Sequence, residues 1–305
     1  MLRVTFLGTS GSVPTPERNT STILINRKGE LILFDCGEGA QQQMMRAKTG
    51  MGNLTSIFIT HFHADHFLGI PGLIQTMNFN GRTKPLNIYG PYWVKEFAKI
   101  MAALGFYKLK FDIKAIELNP GDIVDRGEYH IEAIKTKHSI PSLGYVLTEK
   151  DRLGRFDRKK ANELGIPEGP LFKRLHMGED VKINDRIIKS SEVVGPSRSG
   201  RKIVYSGDTR PCSEIIAASS KADLLIHDGT LANDMIDWAK ESMHSTTGEA
   251  ASVAAQANVD QLVLTHISSR YSENTDVLYN DAKHEFKNVT IANEFMEIEI
   301  TYRDG

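Results

Sequence analysis

The stretch Ser56-Ile-Phe-Ile-Thr60 followed by His61-Phe-His63-Ala-Asp65-His66 sets a short apolar run against three histidines and an aspartate within six positions. The apolar run has the composition of a strand covered on both faces. A packed core gains nothing from the polar cluster behind it. Alternate residues of an extended segment share a side, so His61 and His63 can aim at one metal ion, while Asp65 and His66 turn toward a neighbouring point. Imidazole with carboxylate suits Zn²⁺ or a similar ion, and two ions close together are the expectation.

Matching side chains stand at the ends of other apolar runs. His138 follows Glu132-Ala-Ile-Lys-Thr-Lys137, Asp208 lies in Val204-Tyr-Ser-Gly-Asp-Thr209, and His266 closes Leu262-Val-Leu-Thr-His266. Loops carried on a rigid scaffold are where sites are built. His130, His176 and His284 fall outside these patterns and read as ordinary surface or core histidines.

Working outward, Leu2 to Leu7 alternates, Ser21 to Ile25 and Glu30 to Phe34 are strand-like, and Gln41 to Lys48 has helical composition. Helical spacing runs on from Asp65 through Met77 and again from Tyr92 to Leu104. From Lys202, strands are expected at Ile203 to Ser206, Asp223 to His227, Gln261 to Leu264 and Val289 to Ala292. Helices are expected near Ser213 to Ser219, Leu231 to Lys240, Thr246 to Asn258 and Asp276 to Phe286. Strands alternating with helices predict a layered α/β sandwich. Between the two halves, Glu149 to Gly200 is charged, poor in aromatics and broken by glycine and proline, and it reads as an inserted arm with weak core content.

The 305 residues, 40% of them hydrophobic, supply a sizeable core and exclude a disordered chain. No run of about 18 apolar residues is present, and the N-terminus enters a strand pattern at once, so a soluble, cytoplasmic protein without a membrane span or signal peptide is expected. Cys36 and Cys212 are expected to be free and buried. The net charge of -1 argues against a uniformly basic protein. The charge is uneven, however: Asp151 to Lys202 carries 13 basic and 8 acidic residues, leaving -6 for the remainder.

Thr60-His-Phe-His-Ala-Asp-His66 matches the HxHxDH signature of the metallo-β-lactamase superfamily. Together with Leu7-Gly-Thr-Ser-Gly, Phe34-Asp-Cys-Gly-Glu-Gly, Gly69-Ile-Pro-Gly-Leu73, Ser206-Gly-Asp-Thr-Arg-Pro211, His227-Asp-Gly-Thr230 and His244-Ser-Thr, it makes the chain resemble the tRNase Z family of tRNA 3′-processing endoribonucleases, in order from Leu2 to about Tyr271. The resemblance implies a four-layer αβ/βα sandwich as one catalytic domain over residues 1–305, with a flexible arm at 149–200 inserted as an exosite for tRNA. It implies a homodimer, and two zinc ions per subunit. His61, His63, His138 and Asp208 would hold one ion; Asp65, His66, His266 and a bridging Asp208 would hold the other. The same ligands accept Mn²⁺.

On the implied reaction the 3′ trailer of precursor tRNA is removed after the discriminator base, leaving a 3′-hydroxyl. Asp65 is expected to orient the attacking water and accept its proton, and His244 to protonate the leaving oxygen. Asp228, where the family more often has glutamate, is expected to hold the His244 imidazole and raise its pKa. Gly165-Ile-Pro-Glu-Gly-Pro-Leu-Phe-Lys-Arg-Leu175 resembles the family's Gly-Pro arm motif, which makes Gly169, Pro170, Lys173 and Arg174 expected RNA contacts. Pro14-Thr-Pro16-Glu-Arg18-Asn19 resembles the PxKxRN loop, with Pro16 in place of lysine and Arg18 expected to face a phosphate. The alternative is a small-molecule phosphodiesterase or arylsulfatase of the same superfamily, which leaves the basic Gly-Pro segment without a purpose.

Overall fold

The protein is described here from a computed structural model that covers residues 1–104, 108–183 and 186–303. Three strands, β1 (Leu2–Gly8), β2 (Thr22–Arg27) and β3 (Glu30–Phe34), run antiparallel in sequence order. After α1 (Ala40–Arg46) the strand β4 (Leu54–Phe58) joins β3 in parallel; α2 (Gly69–Phe79) then leads to β5 (Leu86–Gly90), and α3 (Val94–Ala103) to β6 (Ile113–Glu117). A second sheet begins with β7 (Ile123–Asp125), β8 (Tyr129–Lys135) and β9 (Leu143–Glu149). The chain continues through α4 (Arg158–Glu163), α5 (Pro170–His176) and the hairpin of β10 (Val181–Ile183) and β11 (Arg186–Ile188). It then resumes the second sheet as β12 (Lys202–Tyr205), α6 (Ser213–Ala218), β13 (Leu224–Asp228), α7 (Ile236–Ser242), α8 (Thr247–Ala257), β14 (Gln261–Thr265), α9 (Asp276–Glu285) and β15 (Val289–Ile291). The last strand, β16 (Glu297–Glu299), returns to the edge of the first sheet beside β1.

Two-residue periodicity decides how these layers stack. Leu2, Val4 and Phe6 of β1 and Ile32 and Phe34 of β3 face Tyr145, Ile203, Tyr205 and Ile226 of the second sheet in a core between the sheets. Leu31, Leu33 and Ile57 point the other way and pack under Met44, Ile70, Leu73, Ile74 and Ala98 of α1, α2 and α3. On the outer face of the second sheet, Val204, Leu225, Leu262 and Leu264 are covered by Ile215, Ala250, Ala254 and Leu278 of α6, α8 and α9. The result is the αβ/βα sandwich expected from the sequence.

Two helices differ from the spacing argument. The residues after Asp65 form a single 3₁₀ turn, Ala64–His66, and α2 starts only at Gly69. The amide of Cys36 is spent on the His66 carbonyl and that of Gly69 on the Cys36 carbonyl, which holds the intervening residues out of helical geometry. A β-carbon at Gly69 would lie 2.0 Å from the Gly37 oxygen, so this approach requires glycine. The helix expected from Leu231 begins at Ile236, because Leu231 and Asn233 instead accept the amides of Thr247 and Gly248 at the start of α8.

The chain divides into two compact units, Met1–Leu147 with Lys202–Thr301, and Thr148–Arg201 with the chain end from Tyr302. The smaller unit corrects the expectation of weak core content. Ala161, Ile166, Leu175, Val181, Ile188 and Val193 are buried in a core of its own, with the Phe156 and Phe172 rings 4.8 Å apart beside it. Asp157 caps α4, and Pro170 occupies the first turn of α5 behind Gly169 at φ 129°. Apolar residues too sparse to show a stripe in the sequence converge here from two short helices and a hairpin. Glu149 and Arg201 form a buried, doubly bonded ion pair at 2.7 and 3.0 Å, and Tyr302 lies under both Arg152 and Arg201.

Both cysteines are free, Cys36 buried and Cys212 only partly so, which corrects the second half of that expectation. Among the described residues no helix is long and apolar enough to cross a membrane.

Candidate metal centre

Parallel strands deliver their C-terminal ends to one edge of the sandwich, and the polar residues singled out above stand just beyond those ends. His61 and His63 follow β4, Asp208 follows β12, Asp228 ends β13, and His266 follows β14. His138, behind β8, joins them. One potential ligand atom from each of His61, His63, His138 and Asp208 lies within 4.8 Å of the others, and the same holds for Asp65, His66 and His266. Asp208 Oδ2 stands between the two groups, 3.6 Å from His61 Nε2, 3.3 Å from His66 Nε2 and 3.2 Å from His266 Nε2. On one side His61 Nε2 and His138 Nε2 approach His63 Nδ1 at 3.0 and 3.2 Å. On the other, Asp65 Oδ2 is 3.2 Å from His266 Nε2.

Outer hydrogen bonds fix which nitrogen of each ring faces inward as a lone pair. His66 Nδ1 donates to Asp35 Oδ2 at 2.8 Å, and His138 Nδ1 donates to the Met243 carbonyl at 3.0 Å. Thr60 gives its hydroxyl proton to Asp35, so it accepts from His61 Nδ1; Thr230 gives its own to Asp228, so it accepts from His266 Nδ1. In their neutral forms these four imidazoles turn Nε2 lone pairs toward one another and toward carboxylates. Only positive charge in their midst makes such a cluster favourable, which is the donor set of a pair of divalent cations. Burial favours the neutral form of His66, yet Asp208, Asp35 and Asp65 overcome it and raise its pKa. For Asp65, burial favours protonation, but His66 and His266 outweigh it and hold the carboxyl well below the usual carboxylate range.

His244 stands beside this cluster in a different role. Its Nδ1 donates to Asp228 Oδ2 at 2.9 Å, and Asp228 also accepts the amides of Thr209 and Thr230. Burial opposes the imidazolium, but the Asp228 carboxylate, its hydrogen bond and Asp208 together push the pKa up to about 9. Backbone conformations that side chains seldom adopt gather around the centre: Ser12, Asp35, Met243 and His266 have φ of 63, 55, 61 and 61°. Ser12 uses this geometry to donate its amide to Asp65 Oδ2 at 2.7 Å. Gly11 lets the loop lie against His266, whose ring would be 2.6 Å from a β-carbon there.

Comparison with known proteins places this geometry. Residues 2–155 match a family model described as anti-Pycsar protein Apyc1, and residues 188–267 match the beta-lactamase superfamily domain. Ribonuclease Z of Methanosarcina mazei is 58% identical over 303 residues, 99% of either chain. The chain belongs to the ribonuclease Z family. Ribonuclease Z of Archaeoglobus fulgidus is 46% identical over the full length of both chains. The crystal structure of human tRNase Z, short form, aligns with a TM-score of 0.73 at 31% identity, covering 98% of this chain and 99% of that one.

In this ribonuclease Z sequence all seven expected ligands converge, and His244 meets Asp228, whose shorter side chain spans the gap. Arg18 does not reach a surface where RNA could lie. It is 5% exposed, and its guanidinium donates to Thr9 Oγ1, the Ala292 carbonyl and Asn293 Oδ1. A guanidinium this buried, with its hydrogen bonds made to acceptors inside the protein, does not face an RNA phosphate, so that expectation is corrected. Lys173 and Arg174 are exposed on α5, Arg174 pairing with Glu179. Asp35 has a role that its place in Phe34-Asp-Cys-Gly-Glu-Gly does not reveal. It accepts from Thr60 N, Thr60 Oγ1, His66 and Tyr205, and so orients two candidate ligands. The available signal was an aspartate closing an apolar strand, the same signal that singled out Asp208. Asp35→Asn is expected to weaken metal affinity about 10–100-fold, checked by competition with a chromophoric chelator.

Proposed function

We propose that the centre takes two zinc ions per subunit and hydrolyses the phosphodiester bond that joins a tRNA 3′ end to its trailer. The enzyme is a tRNA 3′-processing endoribonuclease of the ribonuclease Z family. The observation that carries the reading is the placement of His244: its Nδ1 is committed to Asp228, so beside the donor cluster it presents an Nε2 proton to a leaving group. When bound, two divalent cations acidify the attacking water and offset the charge of the transition state. Asp65 keeps Oδ2 on the Ser12 amide and has Oδ1 free, among the described residues, to orient that water and take its proton. Oxygen from water bonds to phosphorus, the bond to the ribose 3′-oxygen breaks, and that oxygen takes the His244 Nε2 proton. The tRNA keeps a 3′-hydroxyl and the trailer a 5′-phosphate. Incubating labelled precursor tRNA with zinc-loaded protein tests this: one cut after the discriminator base is expected. Turnover of small diesters with intact precursor would instead mark a small-molecule phosphodiesterase.

The smaller unit is the proposed exosite, with Gly169, Pro170, Lys173 and Arg174 against the tRNA backbone. Support comes from the local positive charge and from a self-contained fold that presents these residues on α5. Arg152 and Arg198 exchange backbone hydrogen bonds, so a short turn can close the chain after excision of residues 152–197. That deletion is expected to raise KM for precursor tRNA by about 10²-fold, the ordinary gain from a tethered second contact. Hydrolysis of bis(p-nitrophenyl) phosphate should be spared; equal losses would remove the exosite. We also propose a cytoplasmic homodimer, on the family resemblance, which sedimentation of the purified chain checks.

A further inference from the structure

Three anchors set the position of His244, and only one of them is its carboxylate partner. Its amide donates to the Ala239 carbonyl of α7 at 2.9 Å, and its own carbonyl accepts from Arg210 Nη1 at 2.5 Å. Arg210 in turn grips Glu249 with both terminal nitrogens, Nη1 to Oε2 at 2.8 Å and Nη2 to Oε1. Glu249 is the third residue of α8, and its Oε2 also accepts the amide and hydroxyl of the helix cap, Thr246. Ser245, between the two, donates to the Thr209 carbonyl at 2.6 Å. Thus the whole His244-Ser-Thr segment is tied to the loop that carries Asp208.

That loop is fixed from its other side as well. The Arg210 amide donates to the Lys137 carbonyl, and the Lys137 amide to Thr209 Oγ1, next to the ligand His138. One residue, Thr209, separates Asp208, which both donor groups share, from the arginine that holds the His244 backbone. Both terminal nitrogens of the guanidinium are engaged, Nη1 by Glu249 and the His244 carbonyl and Nη2 by Glu249. We propose that Arg210, backed by Glu249, is a brace that fixes the distance from the shared ligand Asp208 to His244. It is a positioning residue for protonation of the leaving 3′-oxygen, and this rests on the reading of His244 as the acid.

A brace of this kind matters only when the leaving group needs a proton. The ribose 3′-oxygen does; p-nitrophenolate leaves without one. Zinc-loaded protein is therefore assayed on precursor tRNA and on bis(p-nitrophenyl) phosphate, with metal content measured alongside. Arg210→Met is expected to lower kcat on precursor tRNA about 10–100-fold with KM unchanged, the cost of a misplacement on the order of 1 Å. The diester rate should stay within about threefold and the metal content unchanged. Arg210→Lys, which keeps one donor for the His244 carbonyl, should recover part of the loss. In a His244→Ala background Arg210→Met should cost nothing more, since two members of one device are not additive.

Equal falls on both substrates, additive losses in the double variant, or loss of metal overturn the brace. If Arg210→Met fails to fold by circular dichroism, Glu249→Gln decides, because it retains an acceptor for Thr246 while removing the charge that orients the fork. The same selective loss supports the proposal and a uniform loss defeats it. His244→Ala run in parallel separates the two readings. Uniform loss there removes the acid itself, whereas selective loss there with uniform loss in Arg210→Met removes the brace alone.

Discussion

Substituting His244 with alanine is expected to slow precursor cleavage by about 10²–10⁴-fold, the usual worth of a positioned proton donor, with metal content unchanged. The imidazole is buried and its Nδ1 is held by Asp228 at 2.9 Å, closer than the 3.9 Å to the candidate ligand Asp208. Loss of metal in the variant would make it a ligand. The pH dependence carries a sign. A proton donor acts in its charged form, which predominates below its pKa, so the rate should fall as pH rises through that value. The Asp228 and Asp208 carboxylates favour the cation and push the imidazole up to about 9 despite burial. Bound cations act in the opposite direction, so the alkaline limb of the loaded enzyme should lie lower. Asp228→Asn removes the principal raising partner and leaves Asp208 alone to oppose burial, which should move the limb further toward acid. The limb should vanish in His244→Ala; a limb that persists there belongs to another group.

Asp208→Ala is expected to abolish measurable turnover, a loss on the order of 10⁶-fold, the low end of what enzymes gain over the uncatalysed reaction. The oxygen removed lies within 3.6 Å of three inward-facing imidazole nitrogens and is common to both donor groups. Without it, neither group keeps a carboxylate between its histidines and those of the other. The carboxyl is held strongly in its charged form by His266, His66 and His61, against the cost of burial. Its deletion therefore leaves a concentrated set of donors lacking the charge that holds them. Atomic absorption on extensively dialysed protein should find less than one ion per chain. Two retained ions would refute the shared-ligand geometry.

The residues that carry chemistry were legible because their types are costly elsewhere. Three histidines and an aspartate behind Ser56-Ile-Phe-Ile-Thr60, and His138, Asp208 and His266 beyond other apolar runs, have no reason to be at strand ends unless something there repays them. Alternation along β1 and β3 gave the layers, since each strand has apolar residues for both faces. Arg18 was misread because its neighbours in the sequence resemble an RNA-facing loop, whereas two of the acceptors that bury it, Ala292 and Asn293, lie more than 250 residues away.

By itself, then, the amino-acid order determined the residue inventory and the layering, which follow from local pattern and composition; the reaction class came from the resemblance those residues carry. Tertiary structure decided the tautomers and the spacings. Asp35 holds His66 and Thr60 across 31 and 25 residues, and Arg210 reaches His244 and Glu249 across 34 and 39. It also decided that the sparse apolar residues of the arm close over a core. The physical reason is common to all three: a lone pair, a brace or a small core is a property of which groups meet, and separation along the chain carries no record of that meeting.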